Sequence, residues 1–574
     1  MTSDSSDMTT LDSEDWKSED LEKEKKRKAI AMLKEPKDFK PEDYRVVLKC
    51  DKQMAKGQLK GGTVVNFDEL PFSKHADSVQ NAIDAWQWII APMKVDEFFE
   101  LVVCNLVNLD FVSYGLGVSV SCTEGRLCIS LILRMNLLSE NKCHRCVPIS
   151  LVISNIFENK TLVVHRKNPQ YYGNLYSTKK FVKILQEHYL EYGTHVNAAV
   201  YIDGERYTPN GIGKVYPNEI RAHLNVAIRV VHRYIYLTPA GTAGFAPHWD
   251  EIDAFLMQVE GRKHWKVFAP VGEGDALPRD SSGNFSDSDL AGRTPVFDGW
   301  IEQGDLIYIP RGFIHQGYTD ASTHSLHLTV SVCRRDAFVD LLEKFLPVAI
   351  SSLADETLSM RRSMPTRYMD MCGVLPLKYA LEKKAKPKIL SVLEKQLDAL
   401  KQGVSDAYES AIDMMAREYL KTAIPPLLTK EERELSVTGG EGFDILNKKE
   451  TKFTTKTKVK FIRRHAQRLI FESEDRCYVV HRMTNSRIYE GRPEVTFGLD
   501  ADLSDGFASL LETYPDWCSV GSIECETDEQ RIQLAKVLYG NGIMLLVLKV
   551  ILSANAVVLW KCRNLLVLFG EGLK

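Results

Sequence analysis

The period of the hydrophobic pattern changes along this chain, and the changes mark its organisation. From Ala82 to Phe99 apolar residues recur at helical spacing, with Trp86, Trp88, Ile89 and Ile90 among them, and Pro92 predicts a break. Leu162-Val163-Val164 predicts a strand, Tyr171-Tyr172-Gly173 a turn, and a helix follows from Thr178. Between about residues 225 and 335 the period shortens to two. Ala254–Val259 and His264–Phe268 predict strands joined by the turn Glu260-Gly261-Arg262-Lys263. Gln303-Gly304-Asp305 predicts a turn before the strand Leu306–Ile309, and Pro310-Arg311-Gly312 closes that strand. Ser325, His327, Thr329 and Ser331 then alternate with Leu326, Leu328, Val330 and Val332. In a barrel-like sandwich the polar row lines the pocket and the apolar row packs outward on helices. After Arg335 helical spacing returns, over Ala337–Leu346, Leu377–Ala385 and Ile389–Leu400. Beyond Pro425-Pro426 the pattern is mixed, and Thr454–Phe461 predicts an exposed strand.

The chemistry concentrates in the strand-rich section. His248 and Asp250, two apart on an extended segment, point to the same face and can grip one metal ion. The Pro310–Gly312 turn delivers His315 to a strand mouth, where it supplies a third donor. Two imidazoles and one carboxylate on one side of an ion, with open positions opposite, form the facial triad of non-haem Fe(II) oxygenases. A His-x-Asp tripeptide alone is common and usually solvated; its framing by strands and turns gives it weight. Lys263, a strand away, is the candidate to hold the far carboxylate of 2-oxoglutarate as a point charge. The competing reading is an ordinary turn lysine. His327 faces the polar row and is a candidate support for the site. His264 and His324 read as packing or surface histidines.

The runs Gly244-Phe245-Ala246-Pro247-His248-Trp249-Asp250-Glu251, Gln258 to Lys263, Gly304 to Gln316 and His324 to Thr329 resemble the JmjC-type ribosomal oxygenases. The likeness is greatest to the nucleolar branch, to which both histidyl hydroxylation and lysine demethylation are attributed. The resemblance implies an α+β fold: a double-stranded β-helix (cupin/JmjC) barrel, then a helical dimerisation domain, then a winged-helix-like domain. Residues 1–76, polar, charged and short of aromatics, read as a disordered leader, and an atypical apolar tail (548–574) runs past the usual end of the family; between them the resemblance gives the catalytic barrel (77–335, with 101–154 an atypical insert), the helical block (336–425) and the winged-helix-like part (426–547). His327, from the polar row, joins Lys263 as a candidate cofactor-binding residue, and the resemblance implies Fe(II) on His248, Asp250 and His315, 2-oxoglutarate held by Lys263, a ribosomal protein substrate, histone methyl-lysine as a further substrate, and a homodimer or higher oligomer. It places the protein in the nucleus and nucleolus. The chain departs from the family in two ways. Residues 101–154 intervene where the family runs almost directly from a stretch like Asp96–Glu100 into one like Ile156–Lys160, and the family has an asparagine where Tyr234 stands in the unlike stretch 218–235. These departures keep a second reading open, a catalytically impaired cupin scaffold that binds ribosomal or chromatin proteins.

Bulk properties narrow the rest. Basic and acidic residues number 73 and 77, for a net charge of -4, so no whole-protein field calls for nucleic acid. Lys456, Lys458 and Lys460 admit either a basic wing touching RNA phosphates or an edge strand guarded against aggregation. The lack of aromatic platforms favours the second reading. The run Lys23-Glu24-Lys25-Lys26-Arg27-Lys28 is a candidate nuclear import signal, or simply a solvated helix. The 12 cysteines show no paired framework and the polar start shows no signal peptide, so a reducing interior is expected. Cys143-x-x-Cys146 is a weak zinc-like pair. Charged residues interrupt the apolar stretch Gly542–Gly570, which makes a membrane span unexpected.

Overall fold

A computed structural model describes residues 35–49, 77–99, 117–132, 156–364, 391–437 and 452–547, apart from short gaps within those ranges. The chain divides into two compact units, residues 1–415 and 416–574.

The first unit is built on a long mixed sheet. Its strands are β1 (Arg45–Lys49), β2 (Gly117–Thr123), β3 (Arg126–Ile132), β4 (Thr161–His165), β5 (Asn197–Ile202), β6 (Glu205–Tyr207), β7 (Arg229–His232), β8 (Ile235–Thr238), β9 (Ile252–Glu260), β12 (Leu306–Ile309) and β14 (Ser325–Cys333), in the order β1-β4-β12-β9-β14-β8-β7-β5-β6. The hairpin β2–β3, within the 101–154 stretch, joins β14 through β3. A second, three-stranded sheet runs β11-β10-β13, from β10 (Lys263–Phe268), β11 (Phe297–Ile301) and β13 (Ile314–Thr319). The helices are α1 (Ser78–Ile90), α2 (Val95–Phe99), α3 (Thr178–Glu187), α4 (Pro217–Asn225), α5 (Phe338–Glu356) and α6 (Leu358–Arg361), with α7 (Val404–Thr422) spanning the division.

The alternation of β9 and β14 sorts two cores. Phe255, Met257, Val259, Leu326, Val330 and Val332 turn outward into a cluster with Trp86, Ile89 and Ile90 of α1. The Trp86 and Phe255 rings meet at 4.7 Å. Ala254, Leu256, Trp265, Ile307 and Ile309 form the inner cluster between the sheets. Ser325, His327, Thr329 and Ser331 therefore line the inner face, as the period-two pattern predicts. Gly261 turns β9 into β10 at φ +63°, where a Cβ would sit 1.9 Å from the His324 carbonyl oxygen. No other residue fits that turn.

Fully buried Arg166 fastens α1 to the sheet. Its guanidinium donates to the carbonyls of Ile89, Ala91 and Gly304 and lies 4.3 Å from the Tyr171 ring centroid. A cation on the last carbonyls of a helix satisfies both their lone pairs and the helix dipole.

One element falls inside the stretch read as a disordered leader. β1 pairs in parallel with β4, from Arg45↔Thr161 to Lys49↔His165, while Arg45 donates to the Val296 carbonyl and the Glu35 carboxylate accepts from Thr294 N–H. The ladder orders this segment together with the packing of Val46 and Leu48 on the outer core and of Phe39 and Tyr44 on the inner one.

The second unit holds the sheets β19-β15-β20 and β16-β17-β18, from β15 (Lys458–Phe461), β16 (Gln467–Ser473), β17 (Arg476–His481), β18 (Thr496–Asp500), β19 (Cys518–Ser519) and β20 (Met544–Val547), with α8 (Lys430–Leu435), α9 (Ser504–Thr513) and α10 (Asp528–Gly540). β15 is the central strand of its sheet, with Val459 and Phe461 fully buried, which corrects the exposed edge-strand reading of its lysines. Side chains of alternate residues reach the core while Lys458 stays in solvent, so a lysine-rich strand is still half apolar. Among the described residues, no helix is long and apolar enough to cross a membrane.

The Lys23–Lys28 run, the Cys143/Cys146 pair, Leu377–Ala385, Tyr234 and the tail after Val547 lie outside the described residues.

Candidate metal centre

His248 and Asp250 sit on an extended segment between β8 and β9 that belongs to neither strand. Its one bridge is to His315: His248 N–H donates to the His315 carbonyl at 3.3 Å, and His315 N–H donates back at 2.8 Å. Gly312 N–H then donates to the Asp250 carbonyl at 3.1 Å. The backbone thus ties all the expected donors together before any side chain is considered. Gly312 holds φ +85° in the turn feeding His315 into β13, and a Cβ there would stand 2.5 Å from Pro278 Cδ.

The imidazoles are oriented in the same way. His248 Nδ1 lies 2.8 Å from the Ala246 carbonyl oxygen, and His315 Nδ1 lies 3.0 Å from that of Phe313. A carbonyl only accepts, so in each neutral ring Nδ1 carries the proton and Nε2 presents its lone pair. Both Nε2 atoms face Asp250, one 3.6 Å from Oδ1 and the other 3.6 Å from Oδ2. That spacing is too long for a hydrogen bond. It suits groups flanking a common ion, since donors about 2.1 Å from one metal stand roughly 3–3.5 Å apart. One donor atom from each residue lies within 4.8 Å of the other two, and the residues are half-buried or buried. Asp250 keeps 34% of its side chain exposed, so one side of the group is open.

Aromatic rings surround the donors. Phe245 meets His248 at 5.5 Å, Tyr236 meets Phe245 at 6.4 Å, and Tyr236 stacks flat on His327 at 4.9 Å. Trp265 closes the circuit, 5.7 Å from His327 and 6.1 Å from His315. Lys263, two residues before Trp265 on β10, is 1% exposed, with Nζ 4.7 Å from the Trp265 centroid. The structure thus brings His248, Asp250, His315, Lys263 and His327 to one inner face. Tyr236, Phe245 and Trp265 are the lining residues that sequence reasoning did not single out; the inward register of Trp265, two positions from Lys263, was the available signal. The buried hydroxyls of Thr238 and Thr329, on that face by alternation, have no hydrogen-bond partner among the described residues. Such orphaned hydroxyls invite a polar guest.

A buried polar network backs the ligand-bearing turn. Tyr308 O–H donates to Asp253 Oδ1 at 2.7 Å and accepts from Glu158 N–H at 2.9 Å. Arg311, in the turn itself, donates its backbone N–H to Asp253 Oδ1 and its guanidinium to Glu158. Burial, reinforced by the Asp253 carboxylate, pushes the Tyr308 phenol well above its ordinary value and keeps it a neutral donor. His324 and His264 are structural. The first contacts the Glu260 carboxylate at 2.8 Å beside the start of α3, and the second stacks on Tyr318 at 4.6 Å on the outer sheet face.

Two family models match the chain: the JmjC domain over residues 216–340, and the C-terminal winged helix domain of ribosomal oxygenase 1 over 424–547. A Danio rerio protein named ribosomal oxygenase 1 is 32% identical over 422 residues, covering 68% of this chain and 75% of that protein. The chain belongs to the JmjC ribosomal oxygenase family. A second relative, a Brugia malayi protein named bifunctional lysine-specific demethylase and histidyl-hydroxylase NO66, is 43% identical over 508 residues. That match covers 84% of this chain and 64% of the relative, so the chain spans less than two thirds of that relative's length. The Escherichia coli ribosomal oxygenase YcfD, a solved structure, aligns at 14% identity and a TM-score of 0.33, over 68% of this chain and 96% of YcfD. The JmjC match contains His248, Asp250, Lys263, His315 and His327.

Proposed function

We propose that this ribosomal oxygenase is an Fe(II)- and 2-oxoglutarate-dependent protein hydroxylase that acts on a histidine of a large-subunit ribosomal protein. The observation that carries the proposal is the pair of Nδ1-anchored histidines presenting Nε2 to the two oxygens of Asp250. That donor set fits iron with open positions on one side. The names of the relatives, histidyl-hydroxylase and ribosomal oxygenase, support the reaction class.

In this reading His248, Asp250 and His315 hold the metal. Lys263 places a buried positive charge on the inner face for the distal carboxylate of 2-oxoglutarate, and the buried hydroxyls of Thr238 and Thr329, on the inner face of the long sheet, have no hydrogen-bond partner among the described residues. A bound iron supplies oxidative decarboxylation of 2-oxoglutarate to succinate and carbon dioxide, with the second atom of dioxygen inserted into a substrate C–H bond. The chain's own contribution is orientation and exclusion of water. The two carbonyls lock the imidazole tautomers, and the aromatic circuit from Phe245 to Trp265 shields the donors. The complete donor set weighs against the silent-scaffold reading.

The demethylase half of the Brugia malayi relative's name supports a second substrate class, an N-methyl-lysine of a histone. Hydroxylation there gives a hemiaminal that releases formaldehyde. We also infer self-association through α5, where Phe338, Val339, Leu342, Leu346 and Ile350 are 40–67% exposed. That apolar stripe favours cover by a second copy. Residence in the nucleus and nucleolus is proposed from the Lys23–Lys28 run and the ribosomal protein substrate.

The test is mass spectrometry of histidine-containing ribosomal peptides and methylated histone peptides incubated with protein, Fe(II) and 2-oxoglutarate. One added oxygen on a histidine supports the first reading, and formaldehyde from the histone peptide supports the second. Folded protein that yields neither, with all components present, overturns both.

A further inference from the structure

We propose that Arg279 is a positioning residue for the metal ligands, acting through residues 280–285, so that the first turns of α5 fix the outer wall of the metal centre. The inference deepens the metal reading above and rests on it.

The ligand segment 247–251 lies outside any sheet and needs support on both flanks. One flank is the bridge to His315 already described. The other is the segment 280–285, part of the long connection from β10 to β11. Trp249 N–H donates to Ser282 Oγ at 2.9 Å, and Ser282 N–H returns to the Trp249 carbonyl at 3.0 Å. Glu251 N–H donates to Ser281 Oγ, Trp249 Nε1 to the Asp280 carbonyl, and Phe285 N–H to the Pro247 carbonyl at 2.8 Å. Trp249, Phe285, Phe268, Leu290 and Ile314 pack together beneath these bonds. Backbone donors on either side of His248 and Asp250 are thus satisfied by a segment that forms no strand or helix of its own.

Arg279 immediately precedes that segment and reaches across to α5. Its guanidinium donates to Glu343 Oε1 at 2.5 Å, Glu343 Oε2 at 2.8 Å and Asp340 Oδ1 at 3.0 Å. The other oxygen of Asp340 accepts from Ala337 N–H at 2.9 Å, closing the start of the helix. A forked guanidinium on two carboxylates defines direction as well as distance, which an isolated surface pair does not. The chain of contacts runs from the first turns of α5 through Arg279 to 280–285, then to 247–251 and the two ligands it carries. Arg279 is half-exposed, so its replacement leaves the cores intact.

The experiment compares the wild-type chain with Arg279→Gln, Arg279→Lys and Glu343→Gln. Amide hydrogen exchange is read peptide by peptide on metal-free protein, and Co(II) uptake is titrated by its visible absorption. Arg279→Gln and Glu343→Gln are expected to speed exchange in 247–251 and 280–285 while β9 and β14 stay protected. They should weaken Co(II) binding by about threefold to tenfold, the scale of a small ion-pair network. Arg279→Lys, which keeps the charge but loses the fork, should fall between. Wild-type exchange in both segments of Arg279→Gln overturns the proposal, and so does faster exchange spread evenly over β9 and β14. Failure of the wild-type chain to take up Co(II) would instead count against the metal reading, and the exchange comparison still decides the role of Arg279.

Discussion

Replacing Tyr308 by Phe removes one oxygen atom from the centre of the network behind the ligand-bearing turn and leaves the ring packing in place. The ring is fully buried against Phe255 at 4.6 Å and Phe98 at 5.1 Å, and Phe fills the same volume, so no cavity term enters. What is lost is polar. The Asp253 carboxylate gives up a 2.7 Å donor, a charge-assisted bond worth about 1.5–3 kcal/mol. Glu158 N–H gives up its 2.9 Å acceptor, which costs about 1 kcal/mol more. Glu158 sits at φ +65°, a conformation disfavoured for a residue with a side chain by about 1–2 kcal/mol, and that bond helps hold it there. The expected destabilisation is about 2–4 kcal/mol, or a fall in melting temperature of roughly 2–5 °C for a unit of this size. The assay is calorimetry on wild type, Tyr308→Phe, Asp253→Asn and the double variant, where a positive coupling between the two sites is expected. A pH series adds a signed check. The folded phenol is raised by burial, so its contribution is fully present below the unfolded value of about 10 and declines as pH rises above it. The advantage of wild type over Tyr308→Phe should therefore narrow in alkali. A destabilisation below about 0.5 kcal/mol, the scale of an inert surface change, would refute the reasoning.

Four other outcomes are expected. His248→Ala and Asp250→Ala should abolish the rise in melting temperature on adding divalent metal while leaving the metal-free melt nearly unchanged; a retained metal-induced rise would remove these residues from the ligand set. Lys263→Met should raise the 2-oxoglutarate concentration for half-maximal turnover by about 10–100-fold, the worth of a charge-assisted contact, and an unchanged requirement would place the anchor elsewhere. Burial raises the Glu260 carboxyl, but hydrogen bonds from His324 and Thr178 outweigh it and hold the group below its ordinary value. Its stabilisation is present above the unfolded value of about 4.3 and is lost as pH falls through the folded one, so Glu260→Gln should show a shallower acid loss in pH-dependent melts; identical acid limbs would contradict this. Leu342→Glu combined with Leu346→Glu should give monomers in analytical ultracentrifugation, and a retained oligomer would move self-association off α5.

The central strands were readable because each signal agreed with the next. Period-two alternation fixed the two faces of β14, and Gly261 and Gly312 marked turns that only positive φ allows. The donors were readable because His248, Asp250 and His315 are a chemically specific set on extended segments. β1 was hidden, since Arg-Val-Val-Leu-Lys alternates exposed and half-buried positions and owes its order to pairing with β4, over a hundred residues away, and to the core it packs on. The lysines of β15 misled for a related reason: polar residues on the solvent face of a central strand read like an edge. Tyr236, Phe245 and Trp265 were missed because an aromatic residue in a strand or in the segment joining two strands looks the same whether it fills a core or walls a site. Only the assembled register separates the two.

The most direct test of the central claim is succinate formation from 2-oxoglutarate, measured with and without Fe(II) in the wild-type chain and in Asp250→Ala. The arrangement of His248, Asp250 and His315 predicts iron-dependent succinate from wild type, increased by a histidine-containing ribosomal peptide, and none above background from Asp250→Ala. Iron-independent succinate, or equal amounts from the two proteins, would contradict it.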